Sequence, residues 1–393
     1  MASPRQNSRR RGLLVFITLL VLVDGALLAA FALRRSVPTG TAWTEVQPSD
    51  RRVSPVFATL GRSGLAAALD SLERQAATDS IVLRGGHQLA HALGRQALLS
   101  SGGDASILGH CRPAFGSGCY HGVVEALLKL RGGIDMAELE QMCAGAGSEE
   151  EPGPVYECVH GLGHGVLGVV GLDVDQALRH CDSLGRSSFV ASCHEGVFME
   201  AITSALPLQE EHGPHAHGPE NHADAGQITI NPDNPYSPCD RYADPYADSC
   251  WVFQGFVILR AAGFDPARAL GKCDAAPDGR AKRCYESVGH QLTGLFQHSD
   301  AWVIEQCAKG KSEFAARCAS GAALALASMD WSGERVAGFC SAVPNEWMSS
   351  CQRTAADVLA LVSSSAQQAA LCGSRRPRYS EICHGLIRRR VTS

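Results

Sequence analysis

Histidine and glutamate recur at registered places along this chain, and imidazole nitrogens with carboxylate oxygens are the usual ligands of Zn, Mn, non-haem Fe and Cu. Counted from Cys119, Cys158, Cys193 and Cys284, position +2 holds His121, His160, Glu195 and Glu286, and position +6 holds Glu125, His164 and His290. His87 takes +6 if its Gly-His-Gln-Leu is laid on the same four residues around His290. On a helix, +2 and +6 stand one turn apart and share a face. His160 and His164 form an H-x-x-x-H pair that can chelate one ion from a single helix. The candidate metal ligands are therefore His87, His121, Glu125, His160, His164, Glu195 and His290, for Zn, Mn, Fe or Cu, with His91, His194 and Glu200 close by in sequence. Such a site could support metal-assisted oxidation or hydrolysis. A competing reading needs no chemistry: the same side chains line a wet groove that receives a peptide or protein partner.

Other chemistries lack their residues. His194-Glu195 begins like the zinc-protease motif, but position 198 is Phe where a second His is required. No G-x-S-x-G, phosphate-binding loop or dinucleotide fingerprint occurs. The net charge of −5, with no basic stripe interleaved with aromatics, excludes nucleic acid as a partner.

The elements that must position these residues are marked by cysteine. Sixteen cysteines fall into eight successive pairs: Cys111 with Cys119, Cys143 with Cys158, Cys181 with Cys193, Cys239 with Cys250, Cys273 with Cys284, Cys307 with Cys318, Cys340 with Cys351, and Cys372 with Cys383. From the fourth pair onward the internal spacing is always 11, and the second members recur every 32 to 39 residues apart from one interval of 57. That period is typical of helix-hairpin arrays. No C-x-x-C suggests a redox motif or zinc ribbon, so the pairs read as disulfides.

Helix starts repeat with the cysteines. Gly133-Ile134-Asp135, Gly171-Leu172-Asp173 and Gly263-Phe264-Asp265 each precede the first cysteine of a pair; Gly ends one helix and Asp caps the next. Asp104 and Asp300 read the same way. A longer apolar run with small residues at helical spacing follows each second cysteine. The expected fold is all-α: an α-solenoid of short-long helix-hairpin repeats, each clamped by its own disulfide. Aromatics at 6% and 41 glycines favour close helix packing. Ile81 to Leu99 reads as a cysteine-free cap unit, and 207–233 as a His-rich insertion containing His212, His215, His217 and His222.

The N-terminal segment reads as a targeting element. Residues 1–12 carry four arginines and are expected in the cytoplasm, 13–33 form an apolar run about long enough to span a bilayer, and 34–56 a stalk before the solenoid of 57–393. The expectation is a single-pass anchor in the cytoplasmic membrane with the rest outside; cleavage near Ala32 would instead release the chain.

Overall fold

The computed structural model describes residues 50–148, 150–205, 228–231, 233–294, 299–373 and 380–392, and these form helices with no strand among them. The chain begins with α1 (Ser54–Ala76), interrupted at Gly64, whose φ of 84° breaks the helix. Then come α2 (Ser80–Arg84), α3 (Gly86–Ser100), α4 (Gly118–Arg131), α5 (Met136–Ala144), α6 (Gly153–Val169), α7 (Val174–Cys181) and α8 (Ser187–Ala205). The second half holds α9 (Tyr246–Ala261), α10 (Pro266–Cys273), α11 (Ala281–Gly294), α12 (Asp300–Cys307), α13 (Ser312–Met329), α14 (Glu334–Ala342), α15 (Asn345–Val362), α16 (Ser365–Gly373) and α17 (Ser380–Thr392).

The short helices start where their caps demand. Asp135 accepts from the backbone N–H groups of Ala137 and Glu138, Asp173 from that of Gln176, and Asp265 from that of Arg268. Ahead of Asp173 and Asp265 the chain turns through left-handed Gly-Leu and Gly-Phe pairs, and the N–H groups of Leu172 and Phe264 reach back to Leu167 and Leu259. Two caps differ from expectation. Ser299, one residue earlier than Asp300, accepts from Trp302 N–H, and the element after Asp104 is a 3-10 turn, Ala105–His110. Asp104 still caps it through Ser106 N–H.

All eight expected disulfides form, each between nearby residues, with Cα atoms 5.3–5.6 Å apart. The first cysteine of six pairs lies in the last turn of a short helix and its partner in the first two turns of the following long one. Eight such bonds point to an oxidising environment. The long helices begin up to six residues before the second cysteine instead of at it, so the bond enters the long helix from its side.

The expected membrane anchor is corrected. Among the described residues no helix is long and apolar enough to cross a membrane, and the segments 1–12, 13–33 and most of 34–56 lie outside the described residues. A single-pass anchorage is not retained. Most of the His-rich stretch 207–233 also lies outside them, yet Ile228, inside its C-terminal end, is buried and Ile230 packs on the core.

Long helices pack in chain order, α1 on α3, α3 on α4, α4 on α6, α6 on α8, α8 on α9, and so on to α17. An open-ended array would confine contacts to such neighbours, but α15 also returns to α6. Gly153 at the start of α6 accommodates Trp331 and the Val362 carbonyl, where a Cβ would stand 2.6 Å from each. The Tyr120 and Trp331 rings lie 6.4 Å apart across the same junction. The site-bearing helices α4 and α6 are thereby covered from a distant part of the chain.

Candidate metal centre

Glycines decide how closely the site helices approach. A Cβ on Gly122 would collide with the backbone of His91, and one on Gly196 with the carbonyl of His160. Gly161 would stand 3.3 Å from His121 Cα, and Gly321 would strike the Glu286 backbone. Each of these glycines lies at +3 from its second cysteine and abuts the +2 residue of the preceding long helix. In the other direction Gly163 and Gly289, both at +5, abut Cys193 and Cys318. Gly94 meets Cys119 in the same manner, which gives α3 the same register with Leu89 at the cysteine place. His91, not His87, therefore occupies +2 on α3. The Gly-His alignment shifts the register by two turns because it matches letters and ignores the contacting face.

This packing gathers five imidazoles: His87 and His91 from α3, His121 from α4, and His160 and His164 from α6. His91, His121 and His164 are at most 3% exposed, His160 is 7% exposed, and His87 is half-buried. The row is thus a buried cluster and not the lining of an open groove. Ring centroids of neighbouring histidines lie 4.5–5.6 Å apart. His91 Nε2 stands 3.1 Å from His87 Nε2 and 3.3 Å from His121 Nδ1. Two nitrogens bound to one ion at about 2.1 Å, at tetrahedral or right angles, stand roughly 3.0–3.4 Å apart.

The surroundings set which nitrogens bear protons. The carbonyl of Phe115, 2.7 Å from His87 Nδ1, can only accept, so His87 carries its proton there and its Nε2 presents a lone pair inward. Glu200 Oε2 lies 3.0 Å from His164 Nδ1 and fixes that ring likewise; His164 Nε2 is buried with no hydrogen-bond partner. His121 Nε2 is also buried without one. Glu125 Oε2 lies 3.9 Å from His91 Nδ1 and is held by Arg95 at 2.9 Å, while its other oxygen accepts from Lys129 at 2.7 Å. Inward lone pairs backed by outer acceptors are the arrangement by which proteins orient metal-binding histidines.

Burial disfavours the charged form of four of these rings. It lowers His87 to about 3, reinforced by the nearby His91, and lowers His91, His121 and His160 as well. Neutral imidazole is the form that ligates. Burial opposes ionisation of Glu200, yet the bond to His164 prevails and holds its carboxyl down at about 2. In Glu125 the same opposition is overcome by His91, Lys129 and Arg95, and its carboxyl lies well below the usual range. Glu157, 3.7 Å from His121 Nε2, is instead pushed up to about 8 by burial. The buried His and Glu groups could therefore hold a metal ion.

Of the seven residues expected as ligands, His87, His121, His160 and His164 converge, and Glu125 stands behind His91. Two do not join them. Glu195 on α8 is engaged with Tyr156, and burial raises its carboxyl to about 7. His290 on α11 belongs to neither group of converging ligand atoms, and the Phe253 ring lies 6.4 Å from that of His160 and 5.9 Å from that of His290. His290 pairs with Gln291 and is lowered to about 4 by burial. His194 is committed to Asp182 at 2.9 Å. Sequence reasoning placed His91 and Glu200 only nearby and missed Glu157. His87 and His91 repeat the H-x-x-x-H spacing of His160 and His164, and Glu157, His160 and His164 fall on one helical stripe, so both signals were present.

Comparison with protein-family models, with curated proteins and with solved structures returns no match for this chain.

Proposed function

We propose that this chain is a metal-binding protein whose buried five-histidine cluster holds a first-row transition metal. One observation carries the reading. His91 Nε2 lies 3.1 Å from His87 Nε2 and 3.3 Å from His121 Nδ1, the spacing that two nitrogens on one ion adopt, while His121 Nε2 and His164 Nε2 are buried without a hydrogen-bond partner. An all-imidazole inner set suits Cu, Zn or Fe, and is a poorer match to Mn, which favours oxygen donors. The depth of the cluster supports holding an ion over turning over a bulky substrate. It also weakens the scaffold reading, since a peptide partner in a groove would not touch residues this buried.

The helices serve this role as repeat units in our reading. Glycine contacts at +3 or +5 recur from α3 to α8 and again from α9 to α13, with Phe198 and Phe253 at those places where α8 meets α9, and only the early units carry His at +2. The disulfide clamps support units that each bury little apolar area alone.

Metal content tests the proposal. Protein purified without chelators and then offered Zn, Mn, Fe and Cu separately should retain an ion in stoichiometric amount after dialysis. His164→Ala should lower that content while helical signal and disulfides persist. Retention of no ion by the wild-type chain would leave only a buried polar cluster.

A further inference from the structure

We propose that the cluster holds two ions, with the His121 ring bridging them; this rests on the metal-binding reading above. Two triads of ligand atoms, each mutually within 4.8 Å, are present: His87 with His91 and His121, and His121 with His160 and His164. His121 is common to both. Its Nδ1 lies 3.3 Å from His91 Nε2 and so belongs to the first triad. Its Nε2 lies across the ring, buried without a hydrogen-bond partner, 3.7 Å from Glu157 Oε2. One ion cannot bind both nitrogens of one imidazole, because their lone pairs diverge in the ring plane. An ion in the first triad alone leaves His121 Nε2 and His164 Nε2 buried and unsatisfied, which is unfavourable for each. A second ion uses both, with His160 and the Glu157 carboxylate completing its set.

The first site thus takes His87 Nε2, His91 Nε2 and His121 Nδ1, and the second takes His121 Nε2, His160, His164 Nε2 and Glu157. Both suit divalent copper or zinc. When the second ion binds, the remaining N–H bond of His121 and the O–H bond of Glu157 break, a metal–nitrogen and a metal–oxygen bond form, and both protons leave to solvent. The imidazolate then carries one negative charge between two dications.

Copper supplies both a count and a spectroscopic signature. The full chain is used with His212, His215, His217 and His222 changed to Ser, so that the His-rich tract adds no ions. Equilibrium dialysis against Cu(II) should give two ions per chain, and coupling through the bridge should suppress the electron paramagnetic resonance signal of both. His87→Ala and His160→Ala should each retain one ion and restore the signal of an isolated Cu(II). Saturation at one ion, or two ions with the full signal of uncoupled copper, overturns the bridge while leaving metal binding intact. Binding of no copper, and of no zinc in a parallel dialysis, overturns the underlying reading as well. The count and signal of the four-serine parent chain decide the matter even if the His87 or His160 variant fails to fold.

Discussion

Glu200 Oε2 lies 3.0 Å from His164 Nδ1, joining α8 to α6 and directing the opposite nitrogen of His164 into the cluster. The carboxylate is partly exposed, so its worth lies in orienting the ring more than in an ion pair. Glu200→Gln keeps size and some hydrogen bonding but removes the charge that fixes the tautomer. Metal affinity should fall about 10–100-fold, with an unchanged melting temperature of the metal-free protein to within a few degrees. Competition with a chromophoric zinc chelator measures the first and circular dichroism the second. Unchanged affinity would remove Glu200 from any supporting role.

Gly122 lies against the backbone of His91, and no movement of a flexible side chain can make room for a methyl group there. Gly122→Ala gains about 1 kcal/mol of helix propensity but forces α3 and α4 apart at a cost of about 1–3 kcal/mol or more. Net destabilisation and loss of the first triad's geometry are expected together. Gly168→Ala on α6, with nothing within 4 Å of its Cβ, is the control and should stabilise by about 0.5–1 kcal/mol. Urea unfolding of both variants checks the contrast; equal effects would show that the close approach carries no constraint.

Acid should destabilise the metal-free protein well before ordinary carboxylates titrate. His87 falls from 6.5 to about 3 and His290 to about 4 on folding, both through burial. A lowered folded value means that this stability is present above pH 6.5 and is lost as the pH falls toward 4 and 3, because only the unfolded chain takes up the protons there. Glu157 and Glu195 have the opposite sign. Burial raises them to about 8 and about 7, so their contributions are full below 4.5 and are lost as the pH rises toward those values. The lowered His91, His121 and His160 add to the acid loss and outnumber them. The melting temperature after chelator treatment should therefore decline steeply below pH 6.5 and more gently up to pH 8. A flat profile from 4 to 7 would contradict the buried neutral histidines.

Peptide mapping without reductant should find eight links, each within one unit. The bond between Cys307 and Cys318 closes a span of 11 residues between α12 and α13, far from the histidines in sequence. Its removal by the paired change to Ala should cost about 3 kcal/mol by the chain-entropy estimate, with metal content unaltered. Links between units, or metal lost along with this bond, would separate the clamps from the role assigned to them.

Much of this molecule is written in local sequence. The disulfide pairing was legible because each bond joins residues 8 to 15 apart, within reach of one helix-loop-helix unit. The caps at Asp135, Asp173 and Asp265 were legible for the same reason: a cap is satisfied within three residues. Ser299 caps the helix expected to start from Asp300, and both residue types can accept from a first-turn N–H.

The site was legible only as far as one helix face extends. His160 with His164, and the shared register of His121, follow from helical spacing, and the structure brings them together. Whether His87 or His91 faces His121 depends on which glycine accepts the neighbouring backbone, a relation between helices that no single helix encodes. The absence of His290 from both ligand triads, the assignment of Glu200 to His164 and the return of α15 onto α6 likewise arise between helices. Side-chain periodicity determines the face a residue presents; the tertiary packing alone decides what that face meets and how completely water is removed from it.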